Sequence, residues 1–331
     1  MRRSFKFLSI FFLPCFVCFV FCHPTPAGSQ TLSAPYNADY TAIDLGPIAG
    51  LPQPYGGLTF EAGNPNVLLI GGDANYAGGA LYTVDVIRGA GNHITGFSAP
   101  TLFASSPYID GGVNYGPGGD LFTTGYPTNI INEFKPGSTA PDLTLNLTTM
   151  GFNSSVGSLA FVPSGFAGAG DFKVAIYDTS DWYNVTLAPN PSKPGTYIIS
   201  SYSLIENLSG GTYNLEGIAY VPPGSKLFPN PSVLIAEYYS GQIFTFQVDA
   251  NGDPILATEE PFLTGLIGAE GAVIDPLTGD FLFSTFSFSG ANYIEEVKGF
   301  TTPPPVPEPN SLFLIAGGII GLMASRRKFR K

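Results

Sequence analysis

The stretch EGIAYVPPGSKLFPNPSVLIAEY, residues 216–238, reads as an apolar strand, a Gly/Pro-rich turn and a second apolar strand. The same order returns in EGAVIDPLTGDFLFSTF at 270–286. Upstream it occurs in GGLTFEAGNPNVLLIGG at 56–72, GGVNYGPGGDLFTTGY at 111–126 and GSLAFVPSGFAGAGDFKVAIYD at 157–178. The five units start 55, 46, 59 and 54 residues apart. Each opens on a small or acidic residue: Gly56, Gly111, Gly157, Glu216 and Glu270.

A third strand follows in most units, at 78–87, 129–135, 241–249 and 291–300. A fourth is expected at 94–104, 142–150, 195–205 and 254–264. A lone four-stranded antiparallel sheet cannot cover both its faces, and packing such sheets radially buries those faces and protects their edges. The expected fold class is therefore all-β: a β-propeller of five four-stranded blades, or six if a long unit is split. A β-sandwich or a β-helix is the alternative. The last unit has no fourth strand of its own. DYTAIDLG at 39–46 precedes the first unit as a spare strand, so it is expected to close the ring beside 291–300.

Composition agrees with this reading. The 331 residues are 44% hydrophobic and only 12% charged, with 41 Gly and 30 Pro. So many breakers exclude a coiled coil or helical bundle, while 27 Phe, 17 Tyr and 1 Trp can build a large core.

The two ends read as sorting segments. Arg2, Arg3 and Lys6 precede an apolar run from Phe7 to Cys22, and Ala27, Gly28 and Ser29 follow. This is the pattern of a secretory signal peptide, here 1–29, requiring the Sec translocon and signal peptidase. All three Cys (15, 18 and 22) lie in it, so its removal leaves a chain without disulfides. Residues 30–300 form the expected ectodomain. A Pro-rich linker at 301–310 contains Val306-Pro307-Glu308-Pro309. A short apolar segment and a basic cytoplasmic tail with Arg326 and Arg327 occupy 311–331. The uncharged stretch is shorter than the roughly 20 residues of a stable span, which suits transient retention. A signal helix and a short transmembrane helix are thus expected at the two ends.

This three-part tail resembles the PEP-CTERM sorting signal of Gram-negative bacteria. The resemblance implies recognition and cleavage near the motif by an exosortase. It also implies a cell that makes exopolysaccharide, and a product at the cell surface or in the extracellular matrix.

Setting the ends aside sharpens the charge. Between residues 28 and 305 there are six Lys/Arg against 24 Asp/Glu, a formal charge of −18. Such a surface repels phosphate backbones, so nucleic acid is excluded as a partner, and it attracts cations. With one His and no Cys left, zinc sites of His/Cys type are excluded. No GxSxG elbow and no phosphate-binding glycine loop occurs.

In a propeller, the inner-strand starts and the loops between second and third strands open on one face. The residues expected there are Glu216, Glu270, Asp178, Asp181, Glu237, Trp182, Tyr183 and Tyr238, with Asp73, Tyr76, Tyr126, Tyr239 and Phe288 beside them. Carboxylates suit a hard cation such as Ca2+, and aromatic rings suit the apolar face of a sugar. No metal or other cofactor is assigned from the sequence. The Glu-Gly pairs can equally bond neighbouring blades. Asp249-Ala250-Asn251-Gly252-Asp253 reads as a turn between third and fourth strands, not a calcium loop.

EGIAY and IDPLTGDFLFS resemble blades of NHL and gluconolactonase-type propellers. That resemblance implies a central metal held by a Glu at an inner-strand start, with Asn and Asp from other blades. Glu216 or Glu270 stands at such a start, whereas Gly56, Gly111 and Gly157 stand where further ligands are expected. The leading expectation is a non-enzymatic binding or structural module sorted to the surface or to exopolysaccharide. The alternative is a Ca2+-dependent lactonase- or phytase-like hydrolase.

Overall fold

A computed structural model describes residues 30–208 and 214–301. The signal segment and the sorting tail lie outside the described residues, and so do the two terminal helices expected from sequence. Among the described residues, no helix is long and apolar enough to cross a membrane.

Two strands come before the first repeat: β1 (Thr31–Leu32) and β2 (Thr41–Asp44). Blade 1 is β3 (Tyr55–Glu61), β4 (Asn64–Gly72), β5 (Ala80–Arg88), β6 (Ile94–Phe97) and β7 (Thr101–Ser105). Blade 2 is β8 (Ile109–Tyr115), β9 (Leu121–Gly125), β10 (Ile130–Phe134) and β11 (Leu143–Asn146). Blade 3 is β12 (Val156–Phe161), β13 (Phe172–Ile176), β14 (Asp181–Pro189) and β15 (Tyr197–Asn207). Blade 4 is β16 (Leu215–Val221), β17 (Ser232–Glu237), β18 (Gln242–Gln247) and β19 (Glu260–Thr264). Blade 5 is β20 (Ala269–Ile274), β21 (Phe281–Thr285) and β22 (Ile294–Lys298). The protein is an all-β, five-bladed propeller.

The ring closes as the spare strand predicts. β2 pairs antiparallel with β22, Thr41 opposite Lys298 and Asp44 opposite Glu295, and supplies the fourth strand of blade 5. β1 adds a fifth strand to blade 4 by pairing with β19, an extension that so short a segment gives no periodicity to reveal. The N-terminal segment thus straps the last two blades together.

Three local expectations need correction. Residues 142–150 are not all strand: Leu147–Met150 form the short helix α1, capped by the Asn146 side chain accepting from Thr149 N. Residues 94–104 divide into β6 and β7, both paired to β5. The third strand of blade 3, β14, begins at Asp181, so residues expected in a loop are in a strand.

Inner strands β3, β8, β12, β16 and β20 each contact their neighbours around the ring. Five apolar cores lie between blades. Leu69 and Leu81 meet Leu121 and Phe134 between blades 1 and 2. Phe122 and Ile131 meet Val174 and Ile176 between 2 and 3. Trp182 meets Val233 and Ile235 between 3 and 4, and Leu234 meets Phe281 between 4 and 5. Leu58 meets Leu282 across the closure. The second strands β9, β13, β17 and β21 are buried on both faces, which explains their continuous apolar runs in place of strict alternation, whereas the outer strand β15 is largely exposed.

A hydroxyl device ties inner strands across two of these junctions. Thr124 Oγ1 accepts from Gly112 N of its own blade (2.9 Å) and donates to Gly157 O of blade 3 (2.7 Å). Ser284 repeats it at the closure, accepting from Gly271 N (2.9 Å) and donating to Gly56 O of blade 1 (2.7 Å).

Candidate functional site

Every loop between second and third strands puts an aromatic ring at one face. Blade 1 gives Tyr76, blade 2 Tyr126, blade 3 Tyr177, blade 4 Tyr238 and Tyr239, and blade 5 Phe286 and Phe288. Several of the tight turns need a residue in the left-handed region, filled by Asn75, Asn129, Ser180 and Gly241. Six of the rings touch in sequence along an arc of this collar that runs from Tyr126 to Tyr76. Centroids are 5.2 Å apart for Tyr126–Tyr177, 5.9 Å for Tyr177–Tyr238 and 5.7 Å for Tyr238–Phe286. Phe286–Phe288 follows at 4.7 Å and Phe288–Tyr76 at 6.1 Å. Tyr239 and Phe288 are 75% and 67% exposed, an unusual position for large apolar rings.

Burial, then the nearby Glu270 charge, pushes the Tyr238 phenol up to about 12. Burial likewise raises Tyr177, followed by its hydrogen bond with Tyr239. The phenols therefore stay protonated at neutral pH and can both donate and accept.

The inner-strand starts hold a second feature. All five inner strands slip register near their beginnings. Such bulges re-aim side chains. Asp110 falls in the slip between Ile109 and Val113, Glu216 between Leu215 and Ile218, and Glu270 between Ala269 and Ala272. Ligand atoms of the three carboxyls all lie within 4.8 Å of one another. Each residue is 1% exposed. Asn75, with its amide oriented to suit its neighbours, donates to Asp110 Oδ1 at 2.9 Å. With all three ionised, Asp110 Oδ2, Glu216 Oε2 and Glu270 Oε1 meet no donor among the described residues. Burial, above all, pushes all three carboxyls well above the usual carboxylate range; Asp110 and Glu270 share a side-chain hydrogen bond, and repulsion from both adds to the shift of Glu216.

The glycines of the column have a steric role that the sequence did not disclose. A Cβ on Gly111 would lie 2.1 Å from Glu216 Oε2, and one on Gly157 would lie 2.0 Å from Leu215 O. Where further ligands were expected, bare backbone leaves room for the Glu216 carboxyl.

The expected residues distribute unevenly. Glu216 and Glu270 meet at the hub, joined by Asp110, which sequence reasoning missed. Its signal was the Asp-Gly-Gly run at 110–112, one residue ahead of the aligned column. Tyr238 stands in the collar with Tyr76, Tyr126, Tyr239 and Phe288; Tyr177 and Phe286 were missed. Asp178 is exposed beside the collar and adds to the repulsion on Asp110 and Glu216. Glu237 braces its own turn, accepting from Asn214 N (3.1 Å) and Ser240 N (2.6 Å).

Three expected residues are engaged elsewhere. Asp181 accepts from Asn153 Nδ2 and Thr179 Oγ1, both at 2.7 Å, and from Asn207 Nδ2 at 2.8 Å. Burial pulls its carboxyl upward, but these donors outweigh it and leave it below the ordinary value. Trp182 is fully buried in the core between blades 3 and 4, its indole donating to Asp253 Oδ1 at 2.8 Å. Tyr183 packs on Phe152, 4.9 Å between centroids, in the core between blades 2 and 3. Val306, Pro307, Glu308, Pro309, Arg326 and Arg327 lie outside the described residues.

A family model for the PEP-CTERM protein-sorting motif matches residues 305–328. The motif implies processing by an exosortase and a secreted protein anchored in the membrane before that step. No curated protein matches the chain. Among solved structures, the chain is similar to the PQQ-bound aldose sugar dehydrogenase of Streptomyces coelicolor. There it is 15% identical, covering 77% of this chain and 83% of that one, with a TM-score of 0.39. A putative 6-phosphogluconolactonase from Bacteroides uniformis is 12% identical, with coverage of 75% and 72% and a TM-score of 0.37. YCF48 bound to a D1 peptide is 12% identical over 74% of this chain, with a TM-score of 0.37. The chain spans 64% of YCF48, less than two thirds of its length.

Proposed function

We propose that the propeller is a non-enzymatic binding module, delivered by its sorting tail to the cell surface or the exopolysaccharide matrix, whose aromatic collar takes the face of a saccharide. The observation that carries this reading is the collar itself. Seven rings from all five blades line one face, several of them exposed, with phenol hydroxyls able to meet sugar hydroxyls. Stacked rings supply large contact area at little cost in side-chain freedom, and their hydroxyls fix orientation. The acidic surface keeps such a module soluble and disfavours anionic lipid heads. A Ca2+-dependent hydrolase would need its carboxyls to reach a substrate, and the three hub carboxyls are almost wholly enclosed, which favours the binding reading.

The test is binding of the full-length protein to exopolysaccharide purified from the producing cell, by sedimentation or calorimetry. Wild type is expected to bind. The Tyr239→Ala and Phe288→Ala variants are expected to lose about tenfold each, on the order of the contribution of one stacked ring. Absence of binding, or binding indifferent to both rings, contradicts the reading.

A further inference from the structure

The five collar loops contain Asp73 and Asp178 but no Lys, Arg or His. Asp178 follows Tyr177 directly and is exposed, and Asp73 O accepts from Tyr76 N in the loop of blade 1 (3.3 Å). Burial, then the Asp178 charge, pushes up the Tyr126 phenol of the neighbouring blade, so this carboxylate acts across the collar. The cationic side chains are all engaged elsewhere. Arg88 pairs with Asp275 (2.6 Å), His93 with Asp280 (2.5 Å), Lys135 with Asp142 (3.3 Å) and Lys173 with Asp253 (2.7 Å). Lys226 pairs with Asp39 (2.9 Å) and Lys298 with Glu296 (3.0 Å), while Lys193 Nζ donates to Asp142 O. None of these partners belongs to a collar loop.

Such a face draws one sign of charge by two routes. The faces of aromatic rings are negative and attract a cation within about 6 Å of the centroid. A carboxylate with no cation of the chain beside it adds to that attraction, and an ectodomain of −18 extends it to longer range. The two routes meet where blades 2, 3 and 4 adjoin. Tyr126 and Tyr177 are 5.2 Å apart between centroids, Tyr177 and Tyr239 6.3 Å, and their planes are inclined by 60° and 49°. Inclined rings make a corner, and Asp178 stands beside it. We propose that the collar takes an amine-bearing saccharide in preference to a neutral or uronic acid one, its ammonium seated among Tyr126, Tyr177 and Tyr239 beside Asp178. This deepens the saccharide reading and rests on it. A lone ammonium fills only that corner, whereas the rest of the arc, through Tyr238, Phe286 and Phe288, offers rings to the apolar sides of sugar units.

The experiment is calorimetry of the full-length protein at pH 6 with three hexasaccharides of the same linkage, built of glucosamine, glucose or glucuronic acid. A lysine hexapeptide controls for attraction to the acidic surface at large. The glucosamine hexamer is expected to bind about tenfold more tightly than the glucose hexamer, and the glucuronic acid hexamer more weakly than both. Asp178→Asn, at an exposed position, is expected to narrow the preference for glucosamine, and Asp249→Asn, in a turn outside the collar, to leave it unchanged. Equal binding of glucosamine and glucose, or tightest binding of glucuronic acid, overturns the proposal while leaving the collar a saccharide site. A preference untouched by Asp178→Asn overturns it too, as does a lysine peptide that binds as tightly as the glucosamine hexamer. Binding of none of the hexasaccharides overturns the saccharide reading and this inference together.

Discussion

The wall between blades 3 and 4 and the hub of the ring both bury acid, but they neutralise it differently. In the wall, Lys173 is fully buried, and its ammonium sits 2.7 Å from Asp253, which also receives the indole proton of Trp182. At the closure, Arg88 holds Asp275 through two contacts of 2.6 and 3.2 Å. At the hub, three carboxyls meet with no cation of the chain beside them. Buried acids without a cation form a third case: burial, above all, pushes Glu133, which also bonds Asp120 and Tyr197 N, and Glu295 each to about 8, so a proton neutralises them near physiological pH. The difference teaches that some walls carry their own counter-charge, while the hub and the buried acids of blades 2 and 5 are neutralised by protons.

The largest effect is expected where a self-sufficient pair is broken. Lys173→Met leaves Asp253 enclosed without its partner, and urea unfolding should show a loss of about 3–5 kcal/mol. Replacing both residues, Lys173→Met with Asp253→Leu, should recover much of it, because a buried pair contributes little over an apolar replacement. Failure of the double variant to recover would mean that the indole contact, not the ion pair, holds the wall.

A smaller effect tests the hub from its steric side. Gly157→Ala drives a methyl against the Leu215 carbonyl and the Glu216 carboxyl. A loss of about 1–3 kcal/mol is expected in urea unfolding. Unchanged stability would show that the hub has slack.

The isolated acid gives a pH signature. Glu295 ionises near 4.3 when unfolded and near 8 when folded. The folded state holds the proton more tightly, so its contribution is favourable at low pH and is lost as pH rises through that window. Glu295→Gln removes this slope. Relative to wild type, the variant should gain about 1–3 kcal/mol at pH 9 and nothing at pH 4. A gain that is flat with pH would assign the effect to packing. Least of all, Tyr239→Ala should stay within about 0.5 kcal/mol of wild-type stability, since the ring is largely exposed.

The architecture was legible because blade physics repeats. Five apolar strand-turn-strand units give five blades, and the unpaired DYTAIDLG segment gives the closing strand. The collar was partly legible too, since loops between second and third strands share one face. The hub was read only in part. Glu216 and Glu270 align with the glycine column, but a bulge brings in Asp110 from one position earlier, and no periodicity announces a bulge. The same limit misplaced Trp182 and Tyr183. DWYNVTLA begins with residues that read as a polar-aromatic loop, yet the strand starts at Asp181 and both rings turn into inter-blade cores. Asp253 belongs to the turn expected at 249–253, as Asp249 Oδ1 accepting from Asn251 N and Asp253 N bears witness. Its burial against Lys173 depends on a neighbouring blade and leaves no mark in the local sequence.

The contrast between wall and hub is tested most directly by urea unfolding of wild type and Glu270→Gln between pH 5 and pH 9. Burial holds the hub carboxyls protonated in the folded state, so wild-type stability is predicted to fall as pH rises and that of Glu270→Gln to fall less. The same pH slope in the two proteins would contradict the account.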